Sequence, residues 1–153
     1  VIPGHEDPDA TVWRVPISEI ETRADDLPAN WAAAVRAVTH DLEFLRDGRP
    51  LDIQDLIWTF DASDSESMLI GAQSRTGQDG FLVGLGFSQD APAAQCTVWT
   101  ASAIQDELAG YRWILWPFRN RVMLDPQVIG GVAVWVDKST SATVPIGELH
   151  GGA

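Results

Sequence analysis

The strongest constraint on this chain is a change of hydrophobic period near residue 50. Before it, Trp31, Val35, Val38, Leu42 and Leu45 recur at spacings of three and four, which lays one apolar stripe along a helix. After it, apolar residues come in short runs divided by turn residues, the pattern of strands joined by hairpins. The expected fold class is α+β: a largely antiparallel sheet with one main amphipathic helix over about residues 29–47 and a second short helix.

Local signals fill in this outline. Pro28 suits the first turn of the main helix and Gly48 its end, while Asp25 and Asp26 lie near the helix's positive pole, where carboxylates are favoured. Thr11 to Ile17 alternates, with Trp13, Val15 and Ile17 on one face, and Pro16 confines that strand to a sheet edge. Strands are expected at Leu56–Phe60, Met68–Ala72, Phe81–Phe87 and Cys96–Trp99, separated by DASDSES, SRTGQDG and SQDAPAAQ. In the last of these strands, alternation would set Cys96 and Val98 against Thr97 and Trp99. Ser102 caps a short helix through Leu108, and Tyr111–Pro117 is extended. Val122–Leu124, Val132–Val136 and Thr143–Ile146 complete the strands, with turns at Asp125-Pro126 and Lys138–Ser141. Residues 1–10 read as a flexible arm and residues 11–149 as a single domain, and 45 % hydrophobic content is enough for a core at this length.

Charge is polarised along the chain. The first 66 residues hold fifteen acids and five arginines, a formal −10 out of a total of −12. Such a field repels nucleic acid and anionic membranes and steers a basic partner toward the N-terminal half. The longest apolar stretches fall well short of the roughly 20 residues that span a bilayer, so a soluble chain is expected. No charged and apolar leader opens the sequence, although a first residue of Val leaves room for a processed N-terminus. A single cysteine, Cys96, forms no intrachain disulfide and suits a reducing, cytoplasmic setting.

Chemistry-bearing motifs are scarce. Asp61, Asp64 and Glu66 cluster in DASDSES, but their spacing departs from a calcium loop, and a solvated hairpin loop that meets a basic surface accounts for them. His40 sits on the main helix beside Asp41, and Arg36, His40 and Glu43 or Phe44 share a flank that need not be the buried stripe. No nucleophile stands in a recognisable context beside it, so an exposed helix-surface histidine is expected. Cys96 reads as a buried core thiol. The densest constellation, Tyr111 to Arg121, interleaves aromatics with arginines. The acidic field opposes the single-stranded nucleic acid that such a run suggests elsewhere. Two readings of it stay open: core aromatics with arginines paired to the acidic half, or a ligand pocket lined by Trp113, Trp116, Arg119, Arg121 and Trp135.

The function these features favour is a non-catalytic acidic binding protein that occludes a basic protein partner such as a toxin domain, in the manner of bacterial immunity proteins and antitoxins. Asp61, Asp64, Glu66 and Trp58 would make the contact. It needs no cofactor or metal and engages neither nucleic acid nor membrane. The alternative is a small-molecule site or enzyme built on the Trp/Arg pocket, and a third option is an assembly subunit with its tryptophans at an oligomer interface.

Overall fold

The computed structural model describes residues 12–43, 54–63, 66–74, 80–83, 87–111, 113–119 and 121–150. An edge strand, β1 (Val12–Pro16), leads through a 3-10 turn (Ile17–Glu19), the single-turn helix α1 (Ile20–Arg23) and a second 3-10 turn (Ala24–Asp26) into helix α2 (Ala29–Leu42). Strands β2 (Leu56–Asp61), β3 (Leu69–Ser74) and β4 (Gly80–Val83) join β1 in an antiparallel sheet of order β1-β2-β3-β4. Helix α3 (Ala93–Tyr111) follows, then a hairpin of β5 (Phe118–Arg119) and β6 (Val122–Met123), and last an antiparallel sheet of β7 (Asp125–Ile129), β8 (Val132–Val136) and β9 (Thr143–Pro145). The expected α+β class with antiparallel pairing is what the chain adopts. The expected arm over residues 1–10, Leu45 and Gly48 lie outside the described residues, and the main helix, expected over about 29–47, ends at Leu42 with Glu43 as its C-cap.

Period-2 burial builds the first sheet. Leu56, Trp58 and Phe60 alternate inward on β2, where Trp58 pairs with Val15 and Ala72, and Phe60 with Trp13 and Ile70. On α2 the stripe Trp31, Ala34, Val35, Val38 and Leu42 is fully buried. Trp31 meets Phe60 at a ring-centroid distance of 6.0 Å and stacks on Trp99 of α3 at 6.3 Å. The indole N–H of Trp58 donates to the Thr39 hydroxyl on α2 at 3.0 Å. Helix α3 packs against α2 and contacts β3 of the first sheet and β7 and β8 of the last, so it ties the two main sheets together.

Two assignments made from sequence are corrected. Cys96–Trp99 is not a strand; it is the first part of α3, a helix of 19 residues that also absorbs the short helix expected from Ser102. Thr97, Val98 and Thr100 carry strand propensity, but the helix satisfies its own threonines: Thr97 donates to the Ala93 carbonyl and Thr100 to the Cys96 carbonyl, each at 2.8 Å. With those hydroxyls quenched, Cys96, Thr100, Ala103, Ile104 and Leu108 form a buried helical face. Asp125-Pro126 is likewise no turn but the start of β7, an edge strand that tolerates proline; the reversal comes at Gly130-Gly131, with φ of 59° and 80° between Ile129 and Val132.

One turn is set by close approach. Gly147 has φ of 102°, and a Cβ placed there would lie 3.1 Å from the Ala37 Cβ and 3.2 Å from its Cα on α2. Gly130 also has positive φ, with open space around it. Gly147→Ala is expected to cost about 2 kcal/mol or more, and Gly130→Ala about 1 kcal/mol, in urea unfolding. Equal costs would contradict a contact between residue 147 and α2.

Candidate functional site

The flank of α2 that carries Arg36, His40 and Glu43 faces a cleft of about 320 Å³ between this helix and the α1 segment. Its lining is mainly polar: Ser18, Thr39 and Gln54 join these three, with Glu21 from α1 and the edges of the buried Ile17 and Ile20. Two of its charged walls are fixed. Arg36 binds Asp25 with Nη1 to Oδ1 at 2.8 Å, and this hydrogen bond holds the Asp25 carboxyl below the usual carboxylate range. His40 Nδ1 lies 2.8 Å from Oδ1 of the fully buried Asp41.

Asp41 sets the chemistry of that histidine. Besides His40, its Oδ1 accepts the Leu149 amide at 3.1 Å, while Oδ2 accepts the Gly147 amide at 2.7 Å and the Trp135 indole N–H at 2.8 Å. With three fixed N–H donors already on it, the carboxylate acts as an acceptor, and a proton on Nδ1 of His40 completes the set. The imidazole is thereby oriented. Glu21 and Glu43 are exposed, and Glu21 adds to the negative field that Asp25 sets around Arg36.

The residues singled out from sequence are scattered by the fold. Asp61 is partly exposed at the end of β2, where Oδ1 accepts the Ser63 amide at 2.8 Å; Glu66 is exposed, and its carbonyl accepts the Gln89 amide at 3.1 Å. Asp64 lies outside the described residues. Trp58 is fully buried under α2 and does not reach the surface with them. Trp116 and Trp135 are also fully buried, edge to face at 5.1 Å, with the Trp116 N–H donating to the Asp41 carbonyl at 3.2 Å. Trp113 is 83 % exposed. Arg119 donates to the His150 carbonyl at 2.8 Å, and Arg121 is exposed at φ 66°. Trp116 and Trp135 therefore belong to the core, away from the solvent that surrounds Trp113 and Arg121.

Asp41, Glu21 and Gln54 are the residues that motif reading passes over. For Asp41 the signal is positional: it stands three residues after Val38 and therefore on the buried stripe, where an acid needs partners. Glu21 and Gln54 reach the cleft through tertiary packing and carry no local signal. Among the described residues, no three His, Cys, Asp or Glu side chains come together to hold a metal ion, and no helix is long and apolar enough to cross a membrane.

In comparison with known proteins, no family model, curated protein or solved structure matches the chain. Function therefore rests on the chemistry of these residues alone.

Cys96 is buried within α3, and desolvation pushes its thiol up to about 11. At pH 8 about one thiol in a thousand is ionised, so native protein is expected to react with a disulfide reagent only as fast as it opens. Prompt stoichiometric labelling without denaturant would place the thiol in an accessible, activated setting instead.

Proposed function

We propose that this chain is a non-catalytic acidic binding protein that occludes a basic protein partner, with a toxin-like domain the partner class that its charge suits best. The observation that carries this reading is Trp113. Its backbone sits in the left-handed region, φ 57°, just past the end of α3, where the Ile114 amide turns back to the Leu108 carbonyl at 2.9 Å. Helix ends of this kind favour glycine, and a bulky residue there costs about 1 kcal/mol. At 83 % exposure the ring recovers almost nothing from burial, so its use lies outside the fold. Exposed tryptophan is the side chain most enriched at binding hot spots.

Charge supports the choice of partner. Glu19, Glu21, Asp25, Asp26 and Glu43 are exposed along the α1 segment and the end of α2, while Arg23 and Arg36 in the same stretch are engaged with Glu19, Asp26 and Asp25. Exposed pairs of this sort add little stability, and their net negative field speeds encounter with a cation. Asp61, Asp64 and Glu66 extend the acidic character to the β2–β3 loop. A reducing, cytoplasmic setting belongs to the same proposal.

Two measurements test it on the partner recovered from the native host. Trp113→Gly should leave folding stability unchanged or raise it by up to about 1 kcal/mol, while affinity falls at least tenfold. Asp61→Asn/Asp64→Asn/Glu66→Gln should slow association, and the wild-type rate should fall steeply as salt rises past roughly 0.1 M. A partner of neutral or acidic charge, or an association rate flat across the salt series, would contradict the proposal.

A further inference from the structure

The last sheet carries an uncharged hairpin whose outer strand is unpaired. From Pro126 to Val136 the chain has no ionisable side chain, although its formal net charge is −12. The tip, Val128 to Val132, is exposed at every residue, and Val128, Ile129 and Val132 keep 39, 48 and 49 % of their surface in solvent. Hairpin tips are ordinarily polar, and apolar side chains left in water contribute little to the fold that carries them.

Strand β7 is the edge of its sheet: the order is β7-β8-β9, and among the described residues no strand pairs with its outer side. The direction of its backbone groups follows from the turn. Gly130 and Gly131, both at positive φ, make a two-residue turn, so Ile129 and Val132 exchange the ladder bonds that close it and the neighbouring pair, Val128 and Ala133, does not. Ala133 agrees, since its carbonyl accepts the Ile146 amide on the β9 side. The amide and carbonyl of Val128 therefore point away from β8, a donor and an acceptor on the open edge. Pro126, two residues earlier on the same edge, has a carbonyl but no N–H.

We propose that β7 pairs with β7 of a second copy of this chain, antiparallel about a twofold axis at Val128, so that the amide of each Val128 donates to the carbonyl of the other. Charge selects this occupant. A basic partner is drawn to the exposed acids of the α1 segment and the end of α2, and the hairpin offers it none. Two copies repel each other where those acids meet, and the hairpin is where they approach: Asp125 and Lys138 at its base pair with each other at 3.7 Å. An antiparallel edge is its own complement about a twofold axis. This register also sets Pro126, which has no N–H to give, opposite the Gly130 turn of the other copy. The short ladder and three half-exposed side chains fall below the roughly 1,200 Å² of a stable interface, so the association is weak and reversible. It leaves the acidic face open and stands apart from the partner reading.

The test is a dilution series of the 15N-labelled full chain from about 1 mM to about 20 µM, with sedimentation equilibrium over the same range. A monomer–dimer equilibrium is expected, with concentration-dependent shifts largest at the amides of Val128 and Gly130. Raising salt from about 0.05 M to about 0.5 M should strengthen it at least twofold, because screening weakens the repulsion between two acidic copies. Association with a basic partner responds to salt in the opposite direction, so the two readings fail separately. Val128→Pro removes the outward N–H, leaves the β8 ladder whole, and should weaken self-association at least tenfold. Ile129→Lys/Val132→Lys places like charges at the tip and should do the same, which keeps the test open if the proline variant does not fold. Leu115→Ser, at an exposed apolar residue outside the sheet, should leave the equilibrium within twofold. A chain that stays monomeric throughout, shifts centred on the α1 segment or on Trp113, or self-association that survives in a folded Val128→Pro variant or in the double lysine variant would overturn the proposal.

Discussion

A buried carboxylate holds the two halves of this protein together. Asp41 is fully enclosed near the C-terminal end of α2, and its two oxygens accept four hydrogen bonds, from His40, Leu149, Gly147 and Trp135. Its carbonyl takes a fifth, from Trp116. Removing an ion from water is expensive unless donors replace the water, so the residue is tolerable only with those partners in place. The partners come from separate parts of the chain: the helix itself, strand β8, the turn after β9 and the segment after α3. The carboxylate therefore specifies where the C-terminal sheet sits on α2, an arrangement apolar packing alone leaves loose.

The same rule governs the other large side chains. Burying an indole gains much from apolar area but strands one N–H unless an acceptor is built for it. Trp58 finds the Thr39 hydroxyl and Trp31 the Gln89 carbonyl, at 3.0 and 3.1 Å, while Trp116 and Trp135 both use Asp41. Asn30 reinforces the Trp31 contact by donating to the carbonyls of Gln89 and Ala91, which fastens the approach to α3 against the start of α2. Four buried tryptophans are thus gathered on or against one 14-residue helix. Trp113 follows none of this logic: its ring stays in solvent, apart from the core.

Period and turn chemistry make the α+β class, α2, the edge strand β1 and the β2–β3 hairpin legible in the sequence. The misreadings have physical causes. In α3, Thr97, Val98 and Thr100 imitate a strand because β-branched residues are judged by propensity, whereas internal hydroxyl-to-carbonyl bonds let them ride a helix. In the last sheet, Asp125-Pro126 imitates a turn because proline is a common turn residue, whereas an edge strand tolerates it and Gly130-Gly131 makes the hairpin. Arg36 and His40 can be assigned to one flank from spacing alone, with Glu43 or Phe44 as the third member. That the flank faces a cleft cannot, because Glu21 and Gln54 reach it only through tertiary packing. Trp58 and Trp135 resemble Trp113 in sequence, and burial alone tells them apart.

Urea unfolding of Asp41→Asn tests most directly whether the Asp41 carboxylate fixes the C-terminal sheet to α2. The substitution keeps the shape but turns one acceptor into a donor that faces N–H groups. The expected result is a loss of about 3 kcal/mol or more with an unchanged denaturant slope. A variant within about 0.5 kcal/mol of wild type, the scatter of ordinary surface changes, would contradict that role for the carboxylate.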